Sequence, residues 1–400
     1  MRPLVALGST RIRITGIAVA AFFQTILILF LGSSISGGDA RTYIGFASDW
    51  SSFSRLTSPE AFDGNFWPAG YSGFLQIFSG LGDSSIVAVR LAQMVMAVSI
   101  AWMAGELAKR YSERAAIITT LVIAFCPTYF WAVWAIGYEL LLGWLLMISL
   151  VSLWGMRSSR NVWIVGLGGV SAGLALIVQF RAVAAIPVLL WLAYKIDIKK
   201  FLIFTLGLSV PVGLWAWRTW LAIGNAIPWS GNGGWNLWNG NNPSATGHNI
   251  FPLPSLPTSS TSYLSAALDW ILSHPSNFVE LSARRALFLF YPTDISEVSN
   301  RFPAERAISI FQWGLAAFFG FLLVAFIGTW IWNVASRLSD LKPLFVFTFM
   351  FLVVNIIFIV EARFRIPVEA VIIAICIPTL LEWIHVKKSQ AKNLSQTFSG

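Results

Sequence analysis

Residues 14–31 read ITGIAVAAFFQTILILFL, and residues 37–43, a few positions further on, read GGDARTY. An apolar segment of this length is enough to cross about 30 Å of hydrocarbon as a helix. Asp39 therefore stands where a membrane helix is expected to meet water. Such a carboxylate is either a helix-terminal polar residue, for example an N-cap for a helix starting at Ala40, or a functional group.

Composition indicates a polytopic membrane protein. Hydrophobic residues make up 56% of the 400 residues, charged residues make up 11%, and the mean hydropathy is +0.71. Several apolar segments reach the length of a spanning helix, and the sequence is too rich in Leu, Phe and Trp for the alternating pattern of a β-barrel. We therefore predict an all-α polytopic membrane protein. The net charge of +9 is explained by cytoplasmic loops and anionic lipids, so no nucleic-acid partner is expected.

About ten transmembrane helices are predicted. The sixth, 182–194, is short, contains Pro187 and directly follows Arg181, which indicates a bent or re-entrant segment. A cleaved signal peptide is the alternative for the first span, but its length and the lack of an A-x-A site favour an uncleaved helix. The predicted spans are 14–31, 86–107, 115–134, 138–156, 161–180, 182–194, 201–222, 307–333, 343–361 and 366–385.

The lysines determine the predicted orientation. All eight lie in alternate short connections or in the C-terminal tail, which the positive-inside rule assigns to the cytoplasm. Both termini are then cytoplasmic, with a single membrane domain at 1–385 and a cytoplasmic tail at 386–400. An inner or plasma membrane is the expected location.

Two long regions, 32–85 and 223–306, are predicted to face the extracytoplasmic side. Neither has the composition of a disordered segment. Each is predicted to carry a short interfacial helix, near 74–81 in the first region and near 263–290 in the second. The dipeptide His274-Pro275 is expected to interrupt the second helix.

Arginine supplies all of the positive charge predicted on this outer face. An arginine in or beside a span is costly unless it is paired or hydrated, and its planar guanidinium matches phosphate oxygens. A lipid-linked phosphate is therefore the expected ligand, bound by Arg181, Arg363 and Arg365, with Arg284 and Arg285 as further candidates. The predicted outer arginines are Arg41, Arg55, Arg181, Arg284, Arg285, Arg301, Arg306, Arg363 and Arg365, with Arg90 and Arg218 in or near the outer halves of their helices.

Pairing with nearby acids is the alternative role for these arginines. It is favoured for Arg301 and Arg306, which have several acids close by in sequence. Arg363 and Arg365 have only Glu361 as an obvious local partner, which favours phosphate binding.

Further acids on the predicted outer face are candidates for secondary roles. Glu139 begins the fourth span, where the helix dipole alone would also favour an acid. Glu60 and Asp63 are candidates for binding an acceptor or a divalent cation, Mg²⁺ or Mn²⁺. No dedicated metal cage is evident, so no metal site or cofactor is assigned.

A loop rich in aromatic and amide side chains lies in the second outer region. Its main members are Trp238, Asn241 and Asn242. Flat aromatic faces and amides can bind a sugar, and they can equally form a compact loop packed on itself. Both interpretations stay open at this point.

Several short motifs follow one another along the chain. Asp39 is followed by Tyr43 and Ala47, residues 67–71 read WPAGY, residues 240–243 read GNNP, and residues 361–367 read EARFRIP. Together they resemble the motifs of the C-type membrane glycosyltransferases that use polyprenyl-phosphate sugars, in the branch that contains protein O-mannosyltransferases and lipid A aminoarabinose transferases. Further matches in the same order are Arg90, Gly173 to Arg181, His274-Pro275 with Phe278, and Phe290-x-Pro292.

This resemblance implies an inverting transfer from a polyprenyl-phosphate sugar to an acceptor hydroxyl on the extracytoplasmic face. The acceptor would be a saccharide, a lipid or a protein. Asp39 would take up or orient the acceptor proton, and Arg181, Arg363 and Arg365 would stabilise the leaving phosphate. The residues expected to contact sugar or acceptor are Tyr43, Tyr71, Trp238, Asn241 and Asn242.

The chain also departs from that family. Ala40 stands where the mannosyltransferase members have a glutamate after the aspartate, and Arg284 and Arg285 stand where an outer-helix lysine is frequent. These departures argue against protein O-mannosylation and leave the sugar unassigned.

Other function classes compete with this interpretation. A lipid-linked saccharide flippase would also use arginines and a lipid groove, but polar residues along a path to the cytoplasm are expected of it, and the inner halves of the spans are almost wholly apolar. An O-antigen polymerase or ligase lacks an early Asp motif after its first span. A structural protein without an active site would not need so many outer arginines.

Overall fold

The computed structural model describes residues 2–35, 38–48, 67–154, 161–226, 230, 232–248, 255–256, 262–290, 318, 320–321, 324–331 and 341–397. Of these residues 86% are helical and none lies in a strand, which confirms the all-α prediction.

Fifteen α-helices are numbered here in chain order, and residues 324–331 are helical as well. Three 3₁₀ turns accompany them at Ser79–Ser84, Phe180–Ala185 and Ala362–Arg365. The helices are α1 (Arg2–Leu31), α2 (Gly38–Ser48), α3 (Ala69–Gln76), α4 (Ser85–Lys109), α5 (Glu113–Ala124), α6 (Pro127–Trp134), α7 (Glu139–Trp154), α8 (Val162–Val178), α9 (Ile186–Ile196), α10 (Ile198–Ile223), α11 (Gly233–Gly240), α12 (Tyr263–Ser273), α13 (Pro275–Leu289), α14 (Lys342–Ile357) and α15 (Ile366–Thr397).

Four helical stretches of the described chain are long and apolar enough to cross a membrane. They are Gly8–Phe30, Ser79–Lys109, Ile198–Leu221 and Ala362–Ala391. The bent pair α5–α6 makes a fifth if it is counted as one span. Helices α7, α8 and α14 are apolar but shorter, and most of the predicted span 307–333 lies outside the described residues. The structure thus supports a membrane protein with four or five spanning helices by length.

The predicted span 115–134 is not one straight helix. It divides into α5 and α6, which meet at an angle of 46°. Pro127 is the first residue of α6, and Cys126 before it has an extended backbone with φ −68° and ψ 124°. Proline lacks an N–H donor and disfavours the helical conformation in the preceding residue, so the helix ends there.

Other predicted boundaries also shift. In place of a helix at 74–81, α3 is followed by the 3₁₀ turn Ser79–Ser84, and the segment predicted at 182–194 is a 3₁₀ turn followed by α9. Helix α15 continues to Thr397, so the predicted tail 386–400 begins as part of a helix. The predicted interruption at His274 is confirmed, because α12 ends there and Pro275 starts α13.

Helix α15 forms the centre of the helical packing. Within its apolar stretch 83% of the residues are buried, and it packs against α4, α5, α7 and α14. A helix that is apolar on all sides is typical of such a central position. By contrast, only 17% of the apolar stretch of α10 and 22% of that of α1 are buried, so both present apolar faces outward.

Glycines bring α8 and α10 into close contact. A Cβ atom on Gly169 would lie 2.2 Å from the carbonyl oxygen of Phe204, and one on Gly173 would lie 2.4 Å from that of Leu208. Neither position can take a larger residue without separating the helices. Small residues that let backbones approach are typical of helix pairs in membranes.

Two buried arginines, Arg90 of α4 and Arg13 of α1, make hydrogen bonds near opposite ends of α4. Near the start of α4, the Arg90 guanidinium donates to the carbonyl oxygens of Gly32, Ser34 and Trp134. Near its end, Glu106 accepts a 2.6 Å hydrogen bond from Arg13, whose exposed fraction is 1%. Arg90 and Glu106 are sixteen positions apart in sequence, which in a helix corresponds to about 24 Å.

The buried Arg13 has further partners. Its guanidinium also donates to Thr120 at 2.9 Å and to the carbonyl oxygen of Trp102 at 2.9 Å, and it lies over the Trp102 ring at 4.0 Å. A charged, hydrogen-bonded cluster therefore lies between α1, α4 and α5. The cluster holds these three helices together, since each of its hydrogen bonds joins two of them.

Candidate functional site

Four charged residues of the candidate site lie at the beginnings of helical segments. Asp39 is the second residue of α2, so it is not an N-cap, and Glu139 is the first residue of α7. The helix dipole favours an acid in the first turn. Arg181 and Arg363 lie on two similar elements, 3₁₀ turns that lead directly into helices beginning with Ile-Pro. Proline is well accommodated in a first helical turn, where backbone N–H groups have no intrahelical acceptor.

Arg363 connects three carboxylates. Its Nη2 donates to Asp39 Oδ2 at 2.6 Å, and its Nε donates to Glu361 Oε2 at 2.5 Å. The same Nε lies 3.3 Å from Glu139 Oε1. Hydrogen bonds between ionised groups are the strong ones, so this guanidinium fixes the relative positions of three separate chain segments.

The three acids differ in their access to solvent. The side chain of Glu139 is 4% exposed, that of Glu361 is 28% exposed and that of Asp39 is 43% exposed. Glu139 Oε1 is buried and accepts no hydrogen bond. Gly137 makes room for this carboxylate, because a Cβ at position 137 would lie 2.4 Å from Glu139 Oε2.

Arg181 lies next to this group. Its Nη1 donates to Asn355 Oδ1 at 2.8 Å, and its Cζ lies 3.9 Å from the centre of the Phe364 ring. The Arg363 Cζ lies 5.7 Å from the same ring. Attraction between a guanidinium and an aromatic face is strongest when the pair is shielded from water, and Arg181 is buried. Phe364 thus holds two positive charges close to one another.

Aromatic rings pack around Tyr43. The ring of Tyr43, one helical turn after Asp39 in α2, lies 5.2 Å from Tyr71, 5.7 Å from Trp67 and 6.3 Å from Tyr138. All these pairs have the edge-to-face geometry that aromatic rings prefer. Burial, with smaller contributions from Tyr138, Glu139 and Asp39, raises the pKa of Tyr43 well above its usual range, so its hydroxyl stays protonated.

Tyr71 has an internal partner. Its hydroxyl donates to Gln93 Oε1 at 2.7 Å, and Gln93 in turn donates to the carbonyl oxygens of Ala132, Val133 and Ala135. The Tyr71 hydroxyl is therefore already hydrogen-bonded inside the protein, which does not favour the predicted contact with sugar or acceptor. The Tyr71 ring packs against Tyr43.

Arg365 lies apart from the cluster around Arg363. It is fully buried, and it donates to Glu369 Oε2 at 3.1 Å and to the Leu289 carbonyl oxygen at 2.8 Å. The Cys126 thiol donates to the other oxygen of Glu369 at 3.3 Å. A guanidinium enclosed in this way cannot reach a ligand phosphate without leaving its partners, so its geometry is that of a structural ion pair.

Arg284 and Arg285 also have hydrogen-bond partners within the protein. Arg284 is exposed and pairs with Glu280 at 2.6 Å, the local-acid alternative. Arg285 is fully buried and donates to the carbonyl oxygens of Ile356, Ile357 and Gly240. Burial lowers the pKa of Arg285 to about 10, so it is still protonated at neutral pH. It joins α13 to the end of α14.

The segment that reads GNNP is packed on itself. The Asn241 amide nitrogen donates to the carbonyl oxygens of Leu237 and Ile357, both at 2.9 Å, and that of Asn242 donates to Trp238 at 2.8 Å. Trp238, Asn241 and Asn242 are each at most 2% exposed. The geometry therefore supports the compact-loop interpretation over direct sugar contact. A Cβ on Gly240 would lie 2.0 Å from the Phe358 carbonyl oxygen. The loop backbone therefore packs closely against the segment that leads to Glu361.

Several predicted residues lie outside the described part of the chain. They are Arg55, Glu60, Asp63, Arg301 and Arg306. Within the described part, no group of three or more His, Cys, Asp or Glu side chains is arranged to hold a metal ion.

Three residues of the site were not singled out from the sequence. Asn355 is a buried amide within the apolar helix α14, and Tyr138 directly precedes Glu139. A polar residue inside an apolar span is a functional candidate by default, so Asn355 carried a usable signal. Phe364 belongs to the motif at 361–367, but its residue type did not by itself indicate a contact with Arg181.

Comparisons with known proteins add no relative. Neither a scan of protein-family models nor a search of curated proteins finds a match for this chain.

Proposed function

We propose that the chain is a membrane glycosyltransferase that moves a sugar from a polyprenyl-phosphate donor to an acceptor hydroxyl, with inversion at the anomeric carbon. One observation carries the proposal. A solvent-accessible carboxylate, Asp39, and two neighbouring guanidiniums, Arg363 and Arg181, are brought together from three distant parts of an apolar chain. General-base chemistry and phosphate binding need these two kinds of group side by side.

The proposed reaction assigns each group a step. Asp39 accepts the proton of the acceptor hydroxyl while the hydroxyl oxygen forms a bond to the anomeric carbon. The bond between that carbon and the phosphate oxygen breaks, and polyprenyl phosphate leaves with the bonding electrons. Arg181 and Arg363 stabilise the negative charge that develops on the leaving oxygen. Phosphate is a good leaving group, so this scheme needs no acid at that oxygen.

Other side chains position the two arginines. Asn355 and Phe364 hold Arg181, and Glu361 and Glu139 hold Arg363. Arg365 and Arg285 are structural in this proposal, since each is buried among internal acceptors. The donor's phosphate binds Arg181 and Arg363, and its prenyl chain lies among the apolar helices.

For this function we propose the membrane arrangement that the sequence predicts. It has ten spans, cytoplasmic termini and the Asp39 site on the extracytoplasmic face of an inner or plasma membrane. The lysine distribution supports the orientation. The short apolar helices α7, α8 and α14 cross in this arrangement together with their flanking residues.

A reconstitution experiment tests the proposal. Purified protein in liposomes is given polyprenyl-phosphate hexoses and pentoses with a panel of saccharide and lipid acceptors, and sugar transfer is followed by mass spectrometry. We expect release of free polyprenyl phosphate together with a glycosylated product of inverted configuration. Movement of the intact donor between leaflets without release of polyprenyl phosphate would support the flippase alternative and reject the proposal.

A further inference from the structure

Arg363 binds its partners through two of its nitrogen atoms. Its Nε faces Glu361 at 2.5 Å and Glu139 at 3.3 Å, and its Nη2 faces Asp39 at 2.6 Å. Glu139 and Glu361 are the more buried acids, and Asp39 is the most exposed of the three. An incoming anion therefore meets Nη2 at the exposed partner, while Nε stays held by the buried ones.

This arrangement restrains the carboxylate that is proposed as the base. Its Oδ2 is already engaged by Arg363, so that oxygen is not available to an acceptor hydroxyl. A phosphate presents oxygens that match a guanidinium in the same planar geometry as a carboxylate does. A phosphate that binds at Nη2 therefore competes with Asp39 for this nitrogen.

Charge favours the exchange. Three carboxylates, Asp39, Glu139 and Glu361, surround Arg363, and Arg181 is the second positive charge nearby. A phosphate that bound beside an unmoved Asp39 would add a fourth anion to one guanidinium. Repulsion between like charges is relieved when the most exposed acid turns away.

We propose that polyprenyl phosphate displaces Asp39 from Arg363, so that binding of the donor releases the catalytic carboxylate. This inference rests on the proposed function and adds a regulatory step at the same site. With no donor bound, Asp39 is held in an ion pair and the site is inactive. With donor bound, Arg363 holds the phosphate and Asp39 is free to accept the proton of the acceptor.

Carboxylate labelling tests the exchange in the full-length protein. The chain in nanodiscs is treated with a water-soluble carbodiimide and an amine, and modification of Asp39 is measured by peptide mass spectrometry. The probe is polyprenyl phosphate without sugar, so that the space for the sugar beside Asp39 stays open. Polyprenol, which lacks the phosphate, and inorganic phosphate, which lacks the chain, are the comparison ligands. Binding of each is measured separately on the same nanodiscs by native mass spectrometry.

We expect polyprenyl phosphate to raise the labelling of Asp39 several-fold, while polyprenol leaves it unchanged and inorganic phosphate raises it only at much higher concentration. Glu280, which is held by Arg284 in an exposed pair at the same 2.6 Å distance, is the internal reference and should not change. The variant Lys109→Gln removes another ion pair, with Glu113 at 3.6 Å, and should retain the several-fold rise at Asp39.

Two results would overturn the inference, and they differ in what they leave standing. Saturable binding of polyprenyl phosphate with unchanged or reduced labelling of Asp39 rejects the partner exchange alone. Absence of saturable binding rejects the proposed function as well, because the site would then not recognise the lipid-linked phosphate.

Discussion

Arg363 Nη2 donates a hydrogen bond to Asp39 Oδ2 across 2.6 Å, and so joins two residues that are 324 positions apart in the sequence. The contact brings the segment after the first apolar helix to the 3₁₀ turn before α15, the most buried of the long apolar helices. A carboxylate and a guanidinium from opposite ends of the chain thus form one site. The contact brings together the two kinds of group that the proposed function uses.

Loss of the Arg363 guanidinium should weaken binding of the donor. In Arg363→Lys a single ammonium replaces a planar fork, so it cannot hold Glu361 and a phosphate in the same geometry. We expect the Kd for polyprenyl phosphate to rise by about tenfold, which corresponds to about 1.4 kcal/mol. Equilibrium binding in nanodiscs measures it. Arg365→Lys is the control on the same turn, and a comparable loss of affinity in its folded fraction would contradict the division of roles.

Arg285 should matter for stability far more than its neighbour. Arg285→Ala leaves the carbonyl oxygens of Ile356 and Ile357 buried without this donor, and we expect a loss of about 2–4 kcal/mol in the free energy of unfolding. Arg284→Ala removes an exposed pair and should change it by less than about 1 kcal/mol. Thermal unfolding in detergent compares the two variants. Equal effects would show that the α13–α14 contact is not held by Arg285.

Two glycines in apolar helices should respond oppositely to alanine. In Gly169→Ala the new Cβ would meet the Phe204 carbonyl oxygen at 2.2 Å, so α8 and α10 must separate, at about 1–3 kcal/mol. In Gly213→Ala nothing lies within 4 Å, and removal of a glycine from a helix should be neutral or stabilising by up to about 1 kcal/mol. Unfolding of both variants under identical detergent conditions is the measurement. A stable Gly169→Ala protein would rule out the close α8–α10 contact.

The Arg365–Glu369 pair should be structural. Glu369→Gln keeps the shape but leaves the buried guanidinium without a carboxylate, which should lower the free energy of unfolding by about 3–5 kcal/mol. The affinity of the remaining folded protein for polyprenyl phosphate should stay at the wild-type value. If the affinity fell while the stability held, Arg365 would belong to the phosphate site after all.

The sequence was informative where a residue is unusual in its surroundings. Asp39 after an apolar segment and the arginines beside spans were visible, and Asp39, Arg181 and Arg363 do come together. The helical class followed from hydropathy alone. The interruption at His274 followed from a proline, and Pro127 carried the same signal for the break between α5 and α6 but was not used.

The sequence was less informative where the direction of a side chain decides its role. Arg363 and Arg365 are two positions apart in a 3₁₀ turn, so they point differently, one to Asp39 and the other to Glu369. Arg284 and Arg285 are adjacent, yet one is exposed and the other fully buried. The spacing of four residues between Arg365 and Glu369, and between Arg285 and both Leu281 and Leu289, indicates the enclosed member of each pair, but only tertiary packing shows that these faces are buried.

The most direct test of the central claim is the rate of sugar transfer by Asp39→Asn in liposomes that contain a polyprenyl-phosphate sugar which the wild-type protein uses. The amide keeps the size of the side chain but cannot take up a proton. We expect the transfer rate to fall by about 10²–10⁴-fold while polyprenyl phosphate still binds. Transfer by Asp39→Asn at the wild-type rate would contradict the account.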